Sequence, residues 1–205
     1  LAVSTVWGMK LLFFSDVHGD MKALDSLKAK SGQADNVICA GDFTVMENNI
    51  QKIMKQINSF RSPVLMIHGN HESEEMLKEL CEKHDNITFL HKAVHHVGDY
   101  VFMGYGGDGF STKDRYFEDV AAEFFRPQAI GKRRIILVTH GPPHGTEIDK
   151  VNGEYRGNKS YRKFIDDIKP HLVISGHLHE NAGKSHKIGR TLFINPGKSG
   201  VFVDI

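Results

Sequence analysis

Two cysteines in 205 residues are too few for a disulfide framework. Cys39 falls inside the apolar run Asn36–Ala40, and Cys81 on the apolar side of a helical pattern. Both therefore read as reduced core residues. The chain has no apolar run long enough to span a bilayer, which argues against a membrane partner. It also lacks a charge excess: 26 basic against 25 acidic side chains leave a net charge of +1. Composition thus offers no electrostatic case for nucleic-acid or membrane binding. Leu1–Gly8 lacks a basic region, an apolar core and a cleavage site, so it does not read as a signal peptide. These absences leave a cytoplasmic enzyme as the expectation. One domain is expected over 9–205, with 1–8 an N-terminal extension or cloning remnant, and no repeat or linker is visible.

From Lys10 to His84 the pattern is strand then helix, three times over. The helices show 3.6-residue spacing at Met21, Leu24, Leu27, then Ile50, Ile53, Met54, Ile57, then Met76, Leu77, Leu80, Cys81. Ser73 followed by Glu74 and Glu75 reads as a helix start. Such short crossovers build a parallel sheet. Next, Ala93-Val94 and Tyr100–Met103 around Gly98-Asp99 predict a hairpin. Tyr116–Phe125 predicts a helix with Phe117, Val120, Ala121 and Phe124 facing inward. Gly141–Gly157 reads as a long loop walling a pocket, and Tyr161–Ile168 as a helix. Strands at Lys184–Ile188, Arg190–Asn195 and Val201–Ile205 close the chain. The fold class expected is α/β, a two-sheet mixed β-sandwich flanked by helices.

Five apolar runs end in polar groups of one kind. Lys10–Ser15 leads to Asp16 and His18, Asn36–Ala40 to Gly41-Asp42, and Pro63–Ile67 to Gly69-Asn70-His71-Glu72. Arg134–Thr139 leads to His140, and His171–Ser175 to Gly176-His177-Leu178-His179. In open α/β sheets ligands bind at the carboxyl ends of the strands, so these groups can converge. Carboxylate, amide and imidazole without thiolate suit Mn²⁺, Fe²⁺ or Zn²⁺. The donors are too many for one ion and enough for two, with Asp42 placed to bridge them. Only Asp16 and Asp42 among them are anionic, so a two-ion site would be positive and would favour an anion such as a phosphate ester.

This set, Asp-x-His, Gly-Asp, Gly-Asn-His-Glu, His and Gly-His-x-His, resembles the calcineurin-like metallophosphoesterases in content and order, from Asp16 to His179. The resemblance implies a four-layer α-β-β-α fold and two metals, Mn²⁺ first, with Fe, Zn, Ni, Co and Mg as alternatives. It implies that Asp16, His18, Asp42 and His179 hold one ion, and Asp42, Asn70, His140 and His177 the other. His71 would act on the substrate's phosphoryl or leaving-group oxygen as the catalytic residue, with Asn70 also touching substrate. The implied reaction is in-line attack of a metal-bridging hydroxide on a small phosphate ester, more a diester than a monoester.

Val45 and the missing arginine after it depart from the Gly-Asp-x-x-Asp-Arg-Gly run of phosphoprotein phosphatases, leaving the partner of His71 open. A phosphomonoesterase, a nuclease and a non-catalytic scaffold are the rival readings. Gly104–Gly109 matches G-x-G-x-x-G but lies in the hairpin region, and Gly197-Lys198-Ser199 lacks the earlier glycine of a P-loop. Lys132-Arg133-Arg134 reads as a solvated strand entry. Of the remaining histidines, His84, His91, His95, His96 and His186 are expected at the surface and His171 at a strand start, while His68 and His144 adjoin motif loops.

Overall fold

The computed structural model describes residues 8–107, 109–129 and 134–205. Most of the extension at 1–8, Asp108 of the glycine run and Lys132-Arg133 lie outside the described residues. The first strands are short, mostly apolar runs, of which Asn36–Cys39 and Val64–Met66 are buried on both faces. β1 (Lys10–Phe14), β2 (Asn36–Cys39), β3 (Val64–Met66) and β4 (Ile87–Phe89) pair in parallel in that order. Between them run α1 (Met21–Ser31), α2 (Ile50–Asn58) and α3 (Glu74–Glu82). Asp20 caps α1 by accepting the N–H groups of Lys22 and Ala23, each at 3.1 Å. Ser73 does start α3, but its hydroxyl donates to Glu47 at 2.7 Å and does not cap the helix.

The second sheet is built around β6 (Tyr100–Tyr105), β7 (Arg134–Thr139), β10 (Leu172–Ser175) and β12 (Thr191–Ile194), all parallel. Its edges are antiparallel: β5 (Ala93–Val97) forms the expected hairpin with β6, and β11 (Ser185–Ile188) pairs with β12. The last strand, β13 (Val201–Asp204), crosses back to lie antiparallel to β1. A small hairpin, β8 (Lys150–Val151) and β9 (Glu154–Tyr155), sits inside the segment read as an open loop.

Alternate side chains of each strand decide the layers. Leu11, Phe13, Ile38, Leu65 and Ile67 pack against Phe102, Ile136, Val138 and Ile174, which forms the sheet-on-sheet core. Leu12, Phe14, Cys39 and Met66 face α1 to α3. Val101, Met103, Leu137 and Val173 face α4 (Arg115–Val120) and α6 (Lys159–Ile168). The result is the expected α-β-β-α sandwich. No helix among the described residues is long and apolar enough to cross a membrane.

Three expectations fail. Phe124 is 53% exposed, and Phe125 takes the buried place. Residues 121–125 form a π turn between α4 and α5 (Arg126–Ala129), which inserts one residue and moves the inward position along by one. Met76 is exposed, because Leu77, Leu80 and Cys81 alone fill the α3 contact. His91 is buried at 6% exposure: its Nδ1 accepts the Gly106 N–H at 2.7 Å, and its Nε2 lies 3.2 Å from Glu74.

Candidate metal centre

The parallel strands of both sheets deliver their carboxyl ends to one edge, and there the predicted groups meet. Asp16, His18 and His179 bring ligand atoms within 4.8 Å of one another, as do Asp42, His140 and His177. Asp42 Oδ2 lies between the two groups, 3.3 Å from His140 Nε2 and 3.8 Å from His18 Nε2. Asn70 Oδ1 is 3.2 Å from His140 Nε2 and 3.0 Å from His177 Nδ1. His71 Nε2 is 3.9 Å from Asp42 Oδ2.

The backbone needed for this is strained: Asp16, His18, Asp42 and His177 all have positive φ without being glycine. The motif glycines make the close approach possible. A Cβ on Gly69 would overlap Asp42 Oδ1, and one on Gly176 would stand 2.5 Å from Asp16 Oδ2. Ser15 Oγ donates to Asp16 Oδ2 at 2.6 Å, and the His177 N–H donates to the same carboxylate at 3.0 Å.

The donor set fits divalent cations, as the hydrogen bonds of the ring nitrogens indicate. His140 Nδ1 donates to the Ala40 carbonyl at 2.8 Å, so its Nε2 lone pair faces two oxygens, of Asn70 and Asp42. His18 Nδ1 donates to the Thr44 carbonyl at 3.2 Å, which turns its Nε2 lone pair to His179 Nε2 at 2.9 Å. Ring nitrogens that face other donor atoms at such distances need a proton or a cation between them, and a divalent ion can take that place. A backbone carbonyl fixing the far ring nitrogen is the usual support of a metal-binding histidine. Burial, reinforced by the nearby His140, lowers His177 to about 4, and burial also lowers His18, which keeps both rings in the ligating neutral form. With a proton on His140 Nε2 instead of an ion beside it, burial works upward on Asp42, but the hydrogen bond and charge of His140 outweigh it and hold the carboxyl at about 2. For His140, burial works downward, and bonding to Asp42 raises it.

His68, Glu74 and His91 form a further group with ligand atoms within 4.8 Å. There the Gly106 N–H occupies His91 Nδ1, so the proton sits on Nε2 towards Glu74, and His68 Nε2 is the imidazole nitrogen of the group left with an open lone pair.

Two contributors were not assigned from the sequence. Glu72, 5% exposed, accepts the N–H groups of Asp42, Thr44 and Gly69 at 2.8–3.1 Å and the Thr44 hydroxyl at 2.7 Å. It holds the Asp42 loop on the Gly69 loop, and its place in the Gly-Asn-His-Glu run with no basic residue beside it was the available signal. The other is a backbone group. The Met46 N–H donates to His71 Nδ1 at 3.2 Å, taking the place of a side-chain partner.

A model of calcineurin-like phosphoesterases matches residues 9–181. The chain belongs to the calcineurin-like phosphoesterase family. Over 205 residues it is 29% identical to the uncharacterized protein MJ1162 of Methanocaldococcus jannaschii, covering 95% of this chain and 91% of that one. In fold it is similar to TT1561 of Thermus thermophilus, with a TM-score of 0.76 at 15% identity over 94% of this chain and 91% of the other. It is also similar to the phosphopantetheinyl hydrolase of Mycobacterium tuberculosis, with a TM-score of 0.66 at 14% identity over 93% and 89%. At such identities these structures speak for the fold of this phosphoesterase family member alone.

Around the centre lie two clefts that share His18. One, of about 220 Å³, is lined by Met21, Val45, Asn48, Asn49 and Lys52. The other, of about 340 Å³, is lined by Asp16, Asp20, His179, Ala182 and Lys198. Residues 141–157, expected to wall the pocket, line neither cleft. That segment is a clasp in which buried Asp149 accepts the N–H groups of Gly145, Thr146 and Gly157 at 2.6–3.1 Å.

Proposed function

We propose that this protein is a two-metal phosphodiesterase acting on small phosphate esters. The observation that carries the diester reading is the pair of clefts flanking His18, one for each arm of a diester. A monoester would leave one of them without a role. Asp16, His18, Asp42 and His179 would hold one ion, and Asp42, Asn70, His140 and His177 the second. Nitrogen and oxygen donors without thiolate suit Mn²⁺, Fe²⁺ or Zn²⁺, of which Mn²⁺ is the ion proposed. Bound there, two such ions supply Lewis-acid charge and a nucleophilic water at neutral pH.

The chain's own residues do the rest. Asp42, fixed by the Glu72-bound loop and by the His71 N–H at 3.0 Å, sets the spacing of the two ligand groups. His71 turns Nε2 to the centre, where it donates to a phosphoryl oxygen as charge grows there. Because Nδ1 accepts from Met46, the one ring proton is on Nε2, and giving it away would leave an imidazolate. The role supported is therefore hydrogen-bond donor, in place of the leaving-group acid that the family resemblance allowed. Two buried free thiols accord with a reducing, cytoplasmic setting.

The test is a comparison of bis(para-nitrophenyl) phosphate with para-nitrophenyl phosphate in the presence of Mn²⁺, Mg²⁺, Zn²⁺ or Ni²⁺. A higher kcat/KM for the diester is expected. A preference for the monoester would replace this reading by phosphomonoesterase, and no turnover of either would favour a scaffold.

A further inference from the structure

Phe110 stands at the lip of the centre with its ring 4.5 Å from that of His177 and nearly perpendicular to it, at 84°. It is nevertheless 69% exposed. The backbone on either side of it is anchored. Before it, the Gly106 N–H is held by buried His91, and Gly109 at φ +71° has no room for a side chain, since a Cβ would come within 2.9 Å of the His177 ring. The Gly109 backbone also lies against Gly141, whose own Cβ would stand 2.7 Å from it. After it, the Ser111 carbonyl accepts from Asn158 Nδ2 and the Thr112 carbonyl from the Lys159 N–H, each at 2.8 Å. A backbone anchored at Gly109, Ser111 and Thr112 therefore presents a large apolar ring to solvent beside the groups that would hold the phosphate.

Two other apolar side chains are exposed on loops of the centre. Val45 is 42% exposed and lines the cleft beside His18, and Met46, 68% exposed, carries the N–H that holds His71. A charged centre with an apolar rim suits an ester whose phosphate is bound by the centre and whose alcohol part is apolar. Phenylalanine adds a flat ring, which pairs best with another ring in stacked or edge-to-face geometry.

Resting on the phosphoesterase reading above, we propose that Phe110 is a specificity residue that packs against an aromatic ring on the alcohol part of the substrate. The class of ester taken is then aryl or nucleobase-bearing, with simple alkyl esters disfavoured. The test uses two ligands that are not hydrolysed, phenylphosphonate and methylphosphonate, titrated by calorimetry into Mn²⁺-loaded wild type, Phe110→Ala and Phe110→Tyr. Wild type should bind phenylphosphonate about 3- to 10-fold tighter than methylphosphonate, the size of an aromatic pair. Phe110→Ala should bring the ratio to about one by weakening phenylphosphonate alone, and Phe110→Tyr should keep it. The proposal is overturned by no binding, by a ratio near one in wild type, or by a ratio lost in Phe110→Tyr. It is equally overturned if Phe110→Ala keeps the ratio or weakens both ligands alike, the latter meaning that Phe110 acts through His177. The phosphoesterase reading fails separately, by absence of ester turnover while the phosphonate ratio stands.

Discussion

At His71 the ring nitrogen that a carboxylate would orient faces a donor, the Met46 N–H. The proton is thereby kept on Nε2, 3.9 Å from Asp42, where a phosphoryl oxygen can use it. Removing one such donor typically costs about 10²–10³ in kcat. His71→Asn should lose that much and keep its metal, and the loss should be the same for nitrophenolate and alkoxide leaving groups. A loss that shrinks for nitrophenolate would restore the general-acid role. His91 allows a second test, on stability. Burial first, then the charges of His68 and Lys92, lower it to about 2, while Glu74 faces its Nε2. Unfolded, an imidazole takes a proton below about pH 6.5, so across that window the folded chain binds fewer protons and stability falls as the pH drops. The slope from this one group is about 1.4 kcal/mol per pH unit. In urea unfolding of the metal-free protein, His91→Gln should therefore lose less stability than wild type between about pH 7.5 and 5. Parallel losses would place the acid sensitivity elsewhere. The five polar loop motifs were legible because their residue types are rare after apolar runs. The burial of His91 was not, since it depends on Gly106, fifteen positions away in the chain.

Among the elements, the helices of the first half could be read from spacing, as Leu24, Leu27, Ile53, Met54 and Ile57 are all buried. Spacing fails where the period itself changes. Phe117, Ala121 and Phe124 obey a 3.6-residue repeat, yet the π turn at Ala121–Phe125 puts Phe125 against Phe164 and Phe117 and turns Phe124 outward. No residue inside Ala121–Phe125 breaks a helix; the local signal is Pro127 just after it, which has no N–H to give and crowds the carbonyl four residues back, at Glu123. The packing of Phe125 against α6 stabilises it. Phe125→Ala should cost about 3–5 kcal/mol, the range for a buried phenylalanine. Phe124→Ala should stay within about 0.5 kcal/mol. Both follow from urea unfolding at neutral pH, and equal costs would mean that the helix runs through without the π turn.

At the scale of the whole molecule the centre lies on the seam between the two sheets. Asp16, His18, Asp42 and Asn70 follow strands of the first sheet, and His140, His177 and His179 follow strands of the second. Across that seam ligand atoms meet at 2.9 Å between His18 and His179, and at 3.2 Å between His140 and Asn70. Without ions only protons can bridge these contacts, beside the packing of Leu11, Phe13 and Ile38 on Phe102 and Ile136. Ions bound there would join the sheets, and anything that binds only the folded state stabilises it by mass action. At a hundred times Kd that is about 2.7 kcal/mol per site. In a chain of this size each kcal/mol moves Tm by about 2–4 °C, so one saturated site raises it by about 5–11 °C. Mn²⁺ should thus raise Tm of the chelator-treated protein at least this far, with about two ions bound per chain. Asp42→Asn removes the carboxylate between the two groups, so it should lower the ion count and most of the rise together. His179→Asn touches one group only and should leave about one ion and part of the rise. If Mn²⁺ leaves Tm unchanged, or if Asp42→Asn binds as many ions as wild type, then the seam is held by apolar packing alone and Asp42 bridges nothing.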